Sequence, residues 1–249
     1  MELLRHHHTL AIAAPGGVLA IPYIIGIGRN YAEHAREQAA DGPTRPMVFT
    51  KSPASLCRSG DEVIVPRLCL DPATGGNQTD FEAELAVVIG PGPAGRPCRD
   101  VSTAEALSFV LGYACANDVS ARWWQKEGSG GQFCRGKSFD TFCPLGPTVT
   151  PRAAVPDPRA LRVVCRVNGT IMQDGRTADM IFDVPTLVAE LSRGATLPPG
   201  TVILTGTPSG VGMARKPPVW LADGDIVEVE ITGPGVSLGT LRNRVRFEK

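Results

Sequence analysis

The chain has 249 residues, 43% of them hydrophobic, with 25 Lys and Arg against 25 Asp and Glu. That is the composition of an ordinary globular protein with room for one large domain or two small ones. Balanced charge without a basic block excludes the electrostatic footprint of a nucleic-acid binder. No apolar run reaches the roughly 18 residues of a membrane-spanning helix, so neither nucleic acid nor membrane is expected as a partner.

The 28 Gly and 22 Pro predict many turns and therefore many short strands. Residues 1–20 read as a short N-terminal extension, in which His6, His7 and His8 are expected to be a loose terminal feature rather than a metal site. Ile21 to Gly28 reads as a strand and Arg29 to Ala39 as a helix. Short strands are predicted at Pro46 to Lys51 and Glu62 to Pro66, then a polar loop from Arg67 to Thr79. Phe81 to Ile89 is the strongest strand, and its apolar end places it centrally in a sheet. A helix starts at Thr103, a strand covers Val110 to Ala116, and Val119 to Lys126 is predicted helical. Strands at Leu161 to Val167 and Thr170 to Gln173 flank Asn168-Gly169, a strong hairpin signal. Pro185 to Ser192 reads as a helix, Val202 to Thr205 as a strand, and Ile226 to Ile231 alternates with period two. Residues 21–249 thus form one domain of the α+β, mainly β class, with mostly antiparallel strands. Seven cysteines stand singly, odd in number and with no C-x-x-C. They predict reduced thiols in a cytoplasm or organelle matrix, not a disulfide framework.

Two motifs mislead. Gly131 to Ser138, GQFCRGKS, matches the phosphate-loop pattern letter for letter, but no strand precedes it and Pro144 leaves no room for the following helix. Gly26-Ile27-Gly28 opens a dinucleotide fingerprint whose third glycine is replaced by Tyr31. A nucleotide-binding protein is therefore the alternative reading from another class, and it is disfavoured.

The chemistry concentrates elsewhere. Glu82 and Glu84 lie two apart on the strongest strand, so alternation puts both carboxylates on one face, about 6–7 Å apart. The pair fits either a wet face or a divalent cation that relieves the repulsion of two partly buried charges. Asp118, after an apolar strand, is either a helix cap or a third oxygen ligand. All-oxygen ligation favours Mg²⁺, Mn²⁺ or Ca²⁺ over zinc. His34 and Glu37 share a helix face, which suits a carboxylate-oriented general base as well as an exposed surface pair. Lys137 is a candidate oxyanion partner or an ordinary exposed lysine. Thr205, Thr207 and Ser209 sit in a Gly-rich loop that offers donors to an anion or only turns the chain.

In order along the chain, GRNYAEHAREQ, DFEAELAVVIG, ANDVSARWWQ, RGKSFDTFCPLGP, DMIF, LTGTPSGVG and DGDIVEVEI resemble the catalytic domain of the fumarylacetoacetate hydrolase family. They span about residues 22 to 247. The resemblance implies a mixed β-sandwich roll with a few short helices, assembled as a homodimer. It implies a divalent metal, usually Mg²⁺ with Mn²⁺ or Ca²⁺ as alternatives, on Glu82, Glu84 and Asp118. It implies catalysis by His34, Glu37 and Lys137, the first two on a segment that closes as a lid. Substrate contacts fall on Arg29, Tyr31, Arg122, Gln125 and Thr207. The activity implied is cleavage of a carbon–carbon bond in a small 2-oxo or 1,3-dicarbonyl acid, an acylpyruvate or fumarylpyruvate, through a metal-bound enolate. Oxaloacetate decarboxylation and keto-acid isomerisation are the alternatives. This chain departs from many members at Trp123, where they have Asp, and in the length of the loop from Arg67 to Thr79.

Overall fold

The computed structural model describes residues 1–7, 9–37 and 43–249. In chain order the strands are β1 (Leu3–His6), β2 (Thr9–Ala14), β3 (Gly17–Ala20), β4 (Ile24–Gly28), β5 (Met47–Lys51), β6 (Leu56–Arg58), β7 (Glu62–Val65), β8 (Thr79–Asp80), β9 (Ala83–Ile89), β10 (Val110–Asn117), β11 (Ser120–Ala121), β12 (Cys143–Pro151), β13 (Arg162–Val167), β14 (Thr170–Arg176), β15 (Val202–Leu204), β16 (Ile226–Gly233) and β17 (Val236–Phe247). The α-helices are short: α1 (Ala32–Glu37), α2 (Thr103–Ala106), α3 (Arg122–Gln125), α4 (Phe133–Lys137) and α5 (Val184–Ser192). The mainly β, α+β class expected from the sequence is the class observed.

Three layers build the molecule. A seven-stranded sheet, order β5-β4-β15-β9-β10-β12-β6, lies between a five-stranded sheet, β14-β13-β16-β17-β7, and a three-stranded one, β1-β2-β3. Strand β9 shows why. Its odd residues Ala83, Leu85, Val87 and Ile89 join the core shared with the five-stranded sheet. Ala86 and Val88, on the opposite face, pack with Leu10 and Ile12 of the N-terminal sheet. A strand covered on both sides is apolar on both sides, and every residue of β9 is buried. Glu84 belongs to the Ala86 and Val88 face by alternation.

The structure corrects several local expectations. Strands β1, β2 and β3 form the third layer that closes a second core, and His6 is part of β1, paired with Thr9. His6 is thus no loose end, while His8 lies outside the described residues. The strand expected from Ile21 starts at Ile24, behind a proline that offers no amide to a ladder. The helix expected from Arg29 runs over Ala32–Glu37, and residues 38–42 lie outside the described ones. The segment predicted as one helix from Val119 divides instead. Ser120 and Ala121 pair with Asp80 and Thr79, and only Arg122–Gln125 turns helical. Strands β12 and β17 had no counterpart in the sequence reading. The pairing is more mixed than expected, because β4 with β15, β6 with β12 and β7 with β17 are parallel. The Asn168-Gly169 hairpin forms as predicted, with φ of 50° and 80° at its two turn residues.

Candidate active site

The junction of β9 and β10 presents the acidic residues. Glu82 precedes β9, Glu84 lies within it, and Asp118 follows β10, which pairs antiparallel with β9 so that Ala116 faces Glu84. The Asp118 amide donates to the Glu82 carbonyl at 2.8 Å, fixing the two chain ends together. One carboxylate oxygen from each of Glu82, Glu84 and Asp118 lies within 4.8 Å of the others, and all three residues are buried. Metal–oxygen bonds of ~2.0–2.6 Å place ligands of one ion up to about 5 Å apart, so this donor set fits a single divalent cation.

The electrostatics support that fit. Burial pushes the Glu84 carboxyl well above its usual range, and Asp118 and then Glu82 push it further. The Gly206 amide, donating to Glu84 Oε2 at 2.6 Å, offsets only part of this. Burial would also raise Glu82, but Lys137 and Arg122, with His34, outweigh it and hold this carboxyl well below the usual range. Two like-charged neighbours, one readily ionised and one resisting ionisation, are the condition a divalent cation relieves.

Cations buttress the acidic cluster from behind. Lys137 Nζ donates to Glu82 Oε2 at 2.8 Å, Asp118 Oδ2 at 2.5 Å and Ser120 Oγ at 2.8 Å, which occupies its three protons. Burial alone would lower this lysine, yet Asp118 and Glu82 raise it above its ordinary value. The phosphate-loop reading has no structural basis here: Phe133–Lys137 is a short helix whose lysine faces carboxylates. Arg122 Nη1 lies 2.6 Å from Glu82 Oε1 and 2.9 Å from Gln125 Oε1, while its Nε donates to Asp80 Oδ2 at 2.9 Å.

His34 is buried and faces the same cavity. Its Nδ1 lies 2.6 Å from Glu37 Oε1, and Glu37 Oε2 accepts from the Gly210 amide at 2.9 Å. Helix α1 is therefore docked on the loop after β15, in the manner of a closed lid. Arg29, His34, Glu82, Glu84, Arg122, Gln125, Lys137 and Thr207 line this cavity, with Ile27, Phe49 and Phe133 as apolar wall. It encloses about 20 Å³, close to what a single water requires. Ten of the eleven residues expected at the site line the cavity or stand against those that do. Glu37 and Asp118 do so through His34 and Lys137. Tyr31 stands apart: it lines a neighbouring cavity with Glu33, Arg36 and Asp179. Thr207 lines the site, but its hydroxyl donates to the Ala83 carbonyl at 2.9 Å.

Three residues that hold the site escaped the sequence reading. Lys51, at the end of β5, donates to Asp118 Oδ1 at 2.5 Å and to the Phe142 carbonyl at 2.8 Å. Asp80, fully buried, accepts from Arg122 and from the Phe81, Gly212 and Met213 amides. Gln173, on β14, accepts from the Ala83 amide at 2.9 Å and donates to Thr207 Oγ1 at 2.7 Å and the Pro208 carbonyl at 2.8 Å. It thereby clamps the peptide between the two glutamates. The one available sequence signal was Asp80, two residues before Glu82 and so on the same side of an extended chain. The two departures noted in the sequence meet in space: Trp123 packs on Gly75 of the 67–79 loop, and Trp124 Nε1 lies 3.4 Å from the Leu68 carbonyl.

Comparison with known proteins adds an independent line. The family model described as fumarylacetoacetate (FAA) hydrolase C-terminal matches residues 23–246. Human oxaloacetate tautomerase FAHD2A, mitochondrial, is 42% identical over 222 residues, covering 89% of this chain and 66% of the relative, so the chain spans about two thirds of that protein's length. Among solved structures, fumarylacetoacetate hydrolase from Exiguobacterium antarcticum superposes with a TM-score of 0.77 at 42% identity, covering 93% of this chain and 79% of the other. The 5-carboxymethyl-2-hydroxymuconate delta-isomerase of Mycobacterium smegmatis superposes with a TM-score of 0.75 at 36% identity, covering 96% and 80%.

Proposed function

The chain belongs to the fumarylacetoacetate hydrolase family, and from that membership we propose that it moves a proton next to the ketone of a small 2-oxo acid, interconverting keto and enol forms. The observation that carries this reading is the buried His34 imidazole, held by Glu37 and lining the same cavity as Glu82 and Glu84 of the acidic cluster. A divalent cation on the three carboxylates would act as a Lewis acid toward the oxygens of the 2-oxo acid. Glu37 accepts from His34 Nδ1–H, which leaves the lone pair on Nε2. That nitrogen takes the proton from the carbon beside the ketone, the C–H electrons become the enol double bond, and the carbonyl oxygen gains the charge. Returning the proton to oxygen or to carbon gives enol or ketone. Lys137, with its protons directed at Glu82, Asp118 and Ser120, holds the carboxylates in place and supplies fixed positive charge rather than a transferable proton.

An imidazole base oriented by a carboxylate suffices for proton transfer and needs no water nucleophile. The names of the human tautomerase and the mycobacterial isomerase point the same way. The second reading is cleavage of an acylpyruvate carbon–carbon bond by water activated at His34. The family description and the Exiguobacterium structure favour it. The deciding assay follows the ultraviolet absorbance of enol-oxaloacetate as it ketonises, beside pyruvate release from acetylpyruvate and from oxaloacetate, with Mg²⁺ and with chelator. Accelerated, chelator-sensitive ketonisation supports the proposal. Cleavage of the acylpyruvate without faster ketonisation would reverse the order of the two readings. A homodimer, testable by sedimentation, and a reducing compartment belong to the same proposal. All seven cysteines are free thiols, and the human relative is designated mitochondrial.

A further inference from the structure

We infer that the cavity beside the catalytic one is a second binding site, for an amino acid and by preference one with a basic side chain, and that its occupant holds the lid helix closed. This cavity measures about 270 Å³, several times the roughly 30 Å³ share of one water. It shares no lining residue with the catalytic cavity. One wall is the lid, through Tyr31 just before α1 and Glu33 and Arg36 within it. The facing wall carries Asp174 of β14, Asp179 in the turn that follows, and Ser209 of the loop after β15.

Tyr31 gives the first sign of a ligand. It is 3% exposed and lines this cavity, and its hydroxyl is buried without a hydrogen-bond partner. Such a group is unfavourable until something pairs with it. Burial, then Glu84 and Asp179, push its ionisation well above the ordinary range, so the phenol keeps its proton. It can therefore donate to a carboxylate and accept from an ammonium.

Charge gives the second. Asp174 is already taken up by Arg162, which binds both of its oxygens. Glu33 meets only the Ser209 hydroxyl, at 3.5 Å, beyond the ordinary hydrogen-bond range. Among the described residues, neither Asp179 nor Arg36 has a hydrogen bond or ion pair at its charged group. Two unpaired carboxylates thus face one unpaired guanidinium. The complement is a molecule with an ammonium for the carboxylates and a carboxylate for Arg36, and the surplus negative charge favours a second cationic group. A metal ion does not fit, because among the described residues only Glu82, Glu84 and Asp118 gather closely enough to share one. The lid is docked on the same loop that brings Ser209 here, through Glu37 and the Gly210 amide. An occupant touching both walls adds to that docking, so binding and lid closure favour each other.

The test is calorimetry on the full chain with Mg²⁺ and oxalate present, which fills the catalytic cavity and leaves turnover out of the readout. L-Lysine is expected to bind one to one. L-Norleucine, which lacks only the side-chain ammonium, should bind about 5-fold more weakly, the upper end for an exposed ion pair, and L-glutamate more weakly still. Asp179→Asn and Glu33→Gln should each weaken lysine about 5-fold at an unchanged thermal midpoint. Tyr31→Phe should weaken all three amino acids alike. Without oxalate, lysine should slow hydrogen exchange several-fold at Ala32–Glu37 in the wild type and much less in the Asp179→Asn/Glu33→Gln double variant. No saturable lysine binding, or binding that neither carboxylate variant weakens, overturns the site. Binding without slower exchange in the lid overturns the coupling. Because no reaction is followed, failure of the ketonisation assay would leave this result untouched.

Discussion

Replacing Lys51 with Met removes a charge from the centre of the molecule while nearly keeping its volume. Lys51 and Asp118 are both fully buried at their side chains, 2.5 Å apart, and the same ammonium also donates to the Phe142 carbonyl. Taking away one partner of a buried ion pair strands the other, at a cost of ~3–5 kcal/mol. Lys137 still faces the second oxygen of Asp118, so the lower part of that range, about 3 kcal/mol, is expected. In a chain of this length each kcal/mol moves the melting point by roughly 2–4 °C, so Lys51→Met should melt about 6–12 °C lower in calorimetry of the metal-free protein. The double variant Lys51→Met/Asp118→Asn should recover part of the loss, because it no longer buries an unpaired carboxylate. A drop below about 2 °C, or a double variant whose loss equals the sum of the two single ones, would refute the view that Lys51 is the counter-charge of Asp118.

Other consequences are open to measurement. His34→Ala should slow ketonisation about 10²–10⁴-fold, the usual worth of a positioned general base, and slow oxaloacetate decarboxylation much less; equal losses in the two rates would assign His34 to lid closure. The raised Glu84 carboxyl gives a pH signature, because the folded metal-free protein holds a proton there that the unfolded chain has released. Stability from that proton is fully present below the ordinary carboxyl value of 4.5 and is lost as pH rises through the raised one. Mg²⁺, competing with the proton, should raise the melting point more at about pH 8 than at about pH 5. A gain independent of pH would disconnect Glu84 from the cation. Gln173→Met should weaken Mg²⁺ affinity in calorimetry about 10-fold by releasing the Ala83 amide and Thr207, whereas an effect on melting point alone would make it structural only. Gly136→Ala should destabilise by about 1–3 kcal/mol, since a methyl there collides with the Gln125 backbone nitrogen; an unchanged melting point would contradict the tight crossing of α3 and α4.

Much of this molecule is local and therefore legible in the sequence. The period of two that makes β9 a strand also places Glu82 and Glu84 on one side of it, whatever the rest of the chain does. The Asn168-Gly169 turn needs two left-handed residues, and the sequence supplies the pair suited to them. The spacing of three between His34 and Glu37 brings imidazole and carboxylate together on one helix turn. Tertiary structure alone decides the rest, because it concerns partners far apart in the chain. Lys51 meets Asp118 across 67 residues, Gln173 grips the Ala83 amide across 90, and Gly206 reaches Glu84 across 122. No period or propensity encodes such pairings, which arise only when separate strands, sheets and loops pack together. The same holds for the first twenty residues. Their alternation is too short and too broken by glycine to announce a sheet, and they become one only against the apolar second face of β9 and β10. Burial then turns side chains that read as ordinary surface charges into the fixed, mutually opposed charges of a reactive cavity, since charge interactions strengthen as water is removed.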